Sequence, residues 1–162
     1  MPSLNHVLRL ISVGIFIILL AACFQNTRSV DSGFTDSMLT KLREMKGEYL
    51  WNNELKRYIY SEKNLIEKIL SIREPELVVN VLVNCLDDLT LTNSTLRGKR
   101  LVMGVICQEA LSQTAYYEPT TKEGDIAKKW SGHILPTATP DELKEAKRAW
   151  TKVVDSKSYL LL

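Results

Sequence analysis

The sequence predicts a mainly α-helical fold, a small single domain built on a central antiparallel helical hairpin, with a possible short β-hairpin. Two long segments, 76–88 and 101–117, carry the apolar spacing of buried helices, and a short polar connection separates them. A third amphipathic segment begins with a complete helix start signal, Thr139-Pro140-Asp141-Glu142. Two apolar helices joined by a short connection typically pack side by side in opposite directions.

The first part of the domain is predicted to hold a short helix, a hairpin and a second helix. Apolar residues over 38–45 have helical spacing, and Gly47 ends the helix. In 49–60, aromatic and β-branched residues flank an Asn-rich turn, which favours a β-hairpin, with one continuous helix as the alternative. Ser61 is a suitable N-cap for a helix that reaches residue 70.

The two central helices follow. Pro75 suits a first helical turn, and the segment 76–88 after it is apolar on nearly every side. Its many valines make a buried strand the competing interpretation for the first half, but its length and polar stripe favour a helix. The second helix covers 101–117 and cannot continue through Pro119.

The last third is predicted to contain a long loop, a capped helix and an apolar tail. The loop over 118–139 shows little periodicity, and loops of this length are usually functional or disordered. Thr139 and Glu142 form a capping box for a helix that runs to about residue 155. The tail Tyr159-Leu160-Leu161-Leu162 is too apolar to lie free in water, so we expect it to pack on the domain as a short strand.

The N-terminus has the three parts of a secretory signal peptide. Arg9 provides the positive charge, an apolar run covers 10–20, and the small residues Ala21 and Ala22 follow. The run is short for a membrane span, which needs about 20 residues. The tetrapeptide Leu20-Ala21-Ala22-Cys23 resembles the lipobox of bacterial lipoproteins. An uncleaved N-terminal anchor or an ordinary cleaved signal is the alternative.

This resemblance implies a location and a domain division. It implies cleavage before Cys23, which removes the signal peptide 1–22, and acylation of Cys23, for example with palmitate. The segment 23–35 is then a flexible tether and 36–162 the domain. In such lipoproteins, an aspartate directly after the acylated cysteine resembles an inner-membrane retention signal. This chain has Phe24 at that position, so the resemblance implies the outer membrane, with the domain facing the periplasm. Two or more acyl chains give stable anchoring.

Charge and cysteine content follow from the same processing. The chain has 162 residues, with 21 basic and 19 acidic side chains. Cleavage of the signal peptide removes only one charged residue, Arg9, so the net charge after cleavage is 20 − 19 = +1. So small a net charge excludes an electrostatic argument for nucleic-acid binding. With Cys23 acylated, Cys85 and Cys107 form an even pair in an oxidising compartment, and we expect a disulfide between them.

We find no catalytic constellation and no cofactor or metal motif in the sequence. His133 is the only histidine after the signal peptide, which argues for an ordinary loop histidine. Asp87 and Asp88 point about 100° apart on a helix, so they do not form the facing carboxylate pair of a glycosidase.

Aromatic residues in and beside the long loop are the best candidates for a binding surface: Tyr116, Tyr117, Trp130 and His133. We expect Trp130 to be the anchor, and the alternative is that these side chains attach the loop to the core. The predicted function is a non-catalytic binding or accessory protein that engages another envelope protein in the periplasm. The alternative is an envelope hydrolase that acts on peptidoglycan or glycans through carboxylates.

We expect Cys23→Ser to leave a precursor of unprocessed length, because the lipobox cysteine is the acylated residue and marks the cleavage point. Labelling with a palmitate analogue should be lost in this variant, as measured by gel fluorescence after click chemistry. A variant that is processed and labelled like the parent would show that the lipobox interpretation is wrong.

Overall fold

The computed structural model describes residues 32–71, 74–117 and 130–162, and helices and strands alternate along them. In these residues the helices are α1 Ser32–Glu44, α2 Lys63–Leu70, α3 Pro75–Cys85, α4 Met103–Ser112 and α5 Pro140–Asp155. The strands are β1 Glu48–Asn52, β2 Arg57–Tyr60, β3 Leu91–Leu96, β4 Lys99–Val102, β5 Ala115–Tyr116 and β6 Leu160–Leu161. The fold is therefore mixed α/β, and the prediction of a mainly α-helical domain is wrong.

A four-stranded sheet is the main difference from the prediction. Its strand order is β2-β1-β3-β4, with β1 and β3 parallel and the two outer pairs antiparallel. The predicted hairpin over 49–60 is confirmed as β1 and β2. The second hairpin, β3 and β4, lies where we predicted a polar connection.

The turn between β3 and β4 explains why these strands form. Leu96 pairs with Lys99, so only Arg97 and Gly98 make the turn. Both have positive φ, 51° and 74°, which is the backbone of the two-residue turns that match the twist of a hairpin. Glycine adopts this conformation without steric cost.

The side of β3 that faces the core is polar, which hides its strand pattern in the sequence. Thr92 and Ser94 are fully buried. The Thr92 hydroxyl donates to the carbonyl oxygen of Leu101 at 3.0 Å, and the Ser94 hydroxyl donates to that of Met45 at 2.9 Å. The hydroxyls of Tyr60 and Ser94 lie 2.6 Å apart. Buried hydroxyls with such partners are compatible with a core.

The two apolar helices α3 and α4 pack against each other at the centre of the domain. The predicted disulfide is confirmed, since Cys85 and Cys107 are bonded with their Cα atoms 6.0 Å apart. A Cβ atom on Gly104 would collide with the carbonyl oxygen of Leu86, so this glycine allows the end of α3 and the start of α4 to approach closely. The predicted short loop between these helices is wrong, because the chain makes the β3–β4 hairpin there.

Several predicted boundaries also differ. The first helix begins at Ser32, so residues 32–35, which we expected in the tether, are helical, and Phe34 packs against the core. Ser61 does not cap α2, whose N-cap is Glu62. The Ser61 hydroxyl instead accepts a hydrogen bond from the backbone N–H of Glu48 at 2.9 Å, which closes the first hairpin. The helix predicted over 101–117 is shorter, because β4 and β5 take its ends.

The C-terminal predictions are confirmed. Thr139 and Glu142 form a reciprocal capping box, with the Thr139 N–H donating to Glu142 Oε2 at 2.7 Å. The tail forms β6, which pairs with β5 through Tyr116 and Leu160. The buried face of α5 includes Trp150.

The predicted signal peptide 1–22 and the predicted lipidation site Cys23 lie outside the described residues. Within 32–71, 74–117 and 130–162, no helix combines the length and the apolar character needed to cross a membrane.

We expect reduction of the Cys85–Cys107 disulfide to lower the free energy of unfolding. The separation is 22 residues, and the chain-entropy model gives about 3.4 kcal/mol for a closed loop of this size. Urea unfolding with and without dithiothreitol measures the difference. The double variant Cys85→Ala/Cys107→Ala is the control and should not respond to the reductant. Two free thiols in the untreated protein, counted by mass after alkylation, would contradict the prediction.

Candidate functional site

Three parts of the fold converge on one small pocket beside the first hairpin. Helix α4 contributes one face, β1 and β2 contribute a second wall, and the segment 133–136 contributes a third. We call this pocket the hairpin groove; its volume is about 100 Å³, and it is lined by Tyr49, Arg57, Tyr58, Val105, Gln108, Glu109, Ser112 and residues 133–136. The α4 residues recur at helical spacings of three and four, which places them on one face of the helix.

The carboxylate of Glu109 is held by neutral donors. The Tyr49 hydroxyl donates to Glu109 Oε2 at 2.9 Å, and the Gln113 amide donates to Oε1 at 3.2 Å. Burial raises the pKa of Tyr49 well above its usual value, and the negative charge of Glu109 and the hydrogen bond to it raise this pKa further. Tyr49 therefore stays protonated and keeps its proton directed at the carboxylate.

An unsatisfied acceptor lies next to this pair. The side chain of Gln108 is 6% exposed, and its Oε1 atom has no hydrogen-bond partner among the described residues. A buried polar atom without a partner commonly costs about 1–3 kcal/mol. The groove therefore combines a carboxylate with a residue, Gln108, whose buried carbonyl oxygen has no partner in the described residues.

A second pocket lies on the other side of the same wall. We call it the Trp130 pocket; its volume is about 240 Å³, and it is lined by Trp130, Ser131, His133, Ile134, Leu135, Thr137, Ala138, Glu142 and Glu145. Residues 133–135 line both pockets. The two carboxylates lie one turn apart on α5, and Glu142 is already used by the capping box. Glu145 pairs with Arg148 at 3.4 Å.

The predicted binding residues do not all come together. Trp130 is partly buried, with its ring 5.0 Å from those of both Tyr117 and Trp150. The Trp150 indole N–H donates to the carbonyl oxygen of Gly132 at 2.9 Å, which holds this segment on α5. His133 is exposed and lines both pockets.

The other predicted binding residues and the rest of the predicted loop lie apart from the two pockets or outside the described residues. Tyr116 is 48% exposed in β5 and is not among the residues that line either pocket. Residues 118–129 of the predicted binding loop lie outside the described residues. Among the described residues, no group of three or more His, Cys, Asp or Glu side chains is arranged to hold a metal ion.

Exposed apolar side chains occur on both faces of the first hairpin, with Trp51 and Tyr58 on one face and Leu50 and Ile59 on the other; this hairpin was not among the predicted binding surfaces. Leu50, Trp51, Leu55 and Ile59 are 55%, 49%, 54% and 36% exposed. The ring of Trp51 contacts that of Tyr58 edge to face, 5.2 Å between centroids, and its N–H donates to Asn53 Oδ1 at 3.1 Å. Tyr58 links Trp51 to the hairpin groove.

Two signals in the sequence point to this surface. Tyr49-Leu50-Trp51 places bulky side chains on both faces of one strand, and in this hairpin Tyr49 is buried while Leu50 is exposed. Gln108 and Glu109 are adjacent polar residues that interrupt an otherwise apolar helix.

No protein-family model, no curated protein and no solved structure significantly matches this chain.

We expect the Tyr49→Phe variant to lose less stability at alkaline pH than the parent. Tyrosine titrates near pH 10 in an unfolded chain, about its reference value, and the pKa of Tyr49 is higher in the folded protein. Above pH 10 the unfolded state binds fewer protons, so the free energy of unfolding falls as pH rises. The contribution of Tyr49 is at most about 1.4 kcal/mol per pH unit.

Urea unfolding between pH 9 and pH 11.5 measures this slope. Burial also raises the pKa of Tyr60, so the variant should keep part of the dependence. Tyr58→Phe serves as a control for the loss of a hydroxyl in the groove. Equal slopes for the parent and Tyr49→Phe would contradict the buried Tyr49–Glu109 pair.

Proposed function

We propose that this chain is a lipid-anchored binding module of the bacterial cell envelope. In this proposal Cys23 carries the acyl chains, and the domain faces the periplasm, with the outer membrane as the expected location. The domain engages another envelope protein and carries out no chemistry of its own. The contact surface is the first hairpin together with the hairpin groove beside it.

The exposed Trp51–Tyr58 pair, on the face of the hairpin that borders the groove, is the observation that carries this proposal, and Leu50 and Ile59 pair on the opposite face. Isolated exposed leucines are common on protein surfaces, but contiguous apolar patches mark interaction sites. The Trp51–Tyr58 pair contains a tryptophan and a tyrosine, which are residue types enriched among side chains that dominate binding energy. It lies beside a polar pocket, and a mixed surface of this kind is typical of non-obligate interfaces.

The disulfide supports the envelope location. Disulfides persist in oxidising compartments such as the periplasm and are rare in the bacterial cytosol. Cys85 and Cys107 are 5% and 0% exposed, so their bond is a structural element of the core. This agrees with export of the domain.

A hydrolase acting on peptidoglycan or glycans would need two carboxylates on opposite sides of a bound sugar. In the Trp130 pocket Glu142 and Glu145 lie on the same helix, and Glu142 accepts hydrogen bonds from its N-cap. This arrangement favours the binding module over the hydrolase.

The proposal revises the expected anchor. Trp130 packs between Tyr117 and Trp150, so its truncation should remove aromatic contacts within the domain. Trp51 has about half of its surface free and a fixed orientation through Asn53. We therefore propose Trp51 as the main anchor, with Trp130 and His133 holding the wall of the groove.

We expect Trp51→Ala to reduce capture of the partner at least tenfold, since truncation of such an anchor costs about 2 kcal/mol or more. The measurement is crosslinking of the lipidated protein in isolated membranes, followed by affinity capture and quantitative mass spectrometry. The melting temperature of Trp51→Ala should stay close to that of the parent, because half of the indole is already in water.

Leu160→Ala is the matched control, because Leu160 is 67% exposed but lies in the other sheet. Trp130→Ala should lower the melting temperature instead. An unchanged crosslinked species in Trp51→Ala, at unchanged yield, would refute the role of the hairpin.

A further inference from the structure

The hairpin groove has an acceptor that the rest of the domain does not use. Gln108 Oε1 is buried without a partner among the described residues, and Gln108 lines the groove. Nearly all buried polar atoms of a folded domain form hydrogen bonds, and each exception needs an explanation. A ligand that donates a hydrogen bond into the groove would satisfy this atom.

The charge of the groove indicates what kind of donor fits. The carboxylate of Glu109 accepts hydrogen bonds only from the neutral groups of Tyr49 and Gln113 in the described part of the chain. Each carboxylate oxygen has two lone pairs, so both oxygens retain capacity for another donor. A donor that also carries positive charge would satisfy the carboxylate and the Gln108 oxygen together.

The shape of the walls favours a guanidinium group. Tyr58 presents a partly buried aromatic ring to the groove, and planar guanidinium groups stack on aromatic faces. Arginine also offers five N–H donors in one plane, enough for several acceptors at once. The volume of about 100 Å³ suits the end of one side chain.

We propose that the hairpin groove binds an arginine side chain of the protein partner, with Glu109 and Gln108 as its acceptors and Tyr58 as its stacking surface. This inference rests on the proposed function only because it assigns the arginine to a partner protein. It adds a specific requirement to the contact: one arginine of the partner lies close to an apolar patch that covers Trp51.

The position of Arg57 distinguishes binding of a cation from binding of an anion. It is exposed, it lines the groove, and no ion pair joins it to Glu109 in the described residues. Its positive charge at the rim opposes the entry of another cation. Removal of that charge should therefore strengthen binding of an arginine, whereas it should weaken binding of an anion.

The test is a titration of the purified full-length protein with N-acetyl-arginine amide, followed by two-dimensional NMR. N-acetyl-citrulline amide is the matched neutral probe, because it has nearly the same shape without the charge. We expect the arginine probe to shift the signals of Tyr49, Gln108 and Glu109, and the citrulline probe to leave them in place. Equal shifts with both probes, or shifts only outside the groove, would overturn the proposal.

Three variants separate the contributions. Glu109→Gln keeps an oxygen for the Tyr49 hydroxyl but removes the charge, and it should weaken binding at least about tenfold, as expected for a charge-assisted hydrogen bond. Gln108→Met should weaken binding too, while its melting temperature rises because the unsatisfied oxygen is gone. Arg57→Gln should bind the arginine probe more tightly than the parent.

The opposite pattern would show that the groove takes an anion. In that case N-acetyl-glutamate amide would shift the same signals, and Arg57→Gln would abolish the effect. The titration uses a free probe, so its failure, with Trp51 still required for partner capture, would refute only the arginine assignment. If capture does not depend on Trp51, the proposed function is wrong, whatever the probe does.

Discussion

The close approach of α3 and α4 is the constraint on which the rest of this domain depends. The Cys85–Cys107 bond holds the two helices together, and Gly104 lets the first turn of α4 lie against the backbone of Leu86. Both helices are apolar over most of their surface, so they must be covered on several sides. Helix α5 and the sheet supply this cover, and the position of the sheet determines where the groove forms.

The sheet covers α4 with a face that is partly polar, and hydrogen bonds make this possible. Ser94 bonds to Met45 and Tyr60, so a single hydroxyl connects the end of α1, the first hairpin and the central strand. The parallel pairing of β1 with β3 places the first hairpin beside α4, where Tyr49 reaches Glu109. The groove is therefore a consequence of strand order and not of any local motif.

This dependence on strand order explains which features could be predicted from the sequence. Local signals succeeded: the capping box at Thr139, the helix begun by Pro75, the β1–β2 hairpin and the Cys85–Cys107 pair. Predictions failed where a feature depends on contacts with residues that are distant in the sequence. Thr92 and Ser94 face inward because other parts of the fold supply hydrogen-bond partners for their hydroxyls. Those partners cannot be identified from the local sequence, so the segment was predicted to be a polar connection. The role of Glu109 could not be predicted for the same reason, because its partner Tyr49 lies 60 residues away.

The distribution of unsatisfied polar atoms is informative because the rest of the core is well satisfied. Three buried side-chain atoms lack a partner in the described residues, and two of them are Gln108 Oε1 on α4 and Gln113 Oε1 at the C-cap of this helix, close in sequence to Glu109. Beside this region, the adjoining hairpin carries Trp51, which is 49% exposed and packs on Tyr58. A buried polar atom without a partner and an apolar side chain in water each destabilise the free protein, and each loss is recovered when a suitable surface covers them. Both kinds of destabilising group occur around one pocket. A partner that covers this pocket would therefore remove both unfavourable contributions to the free energy of the domain.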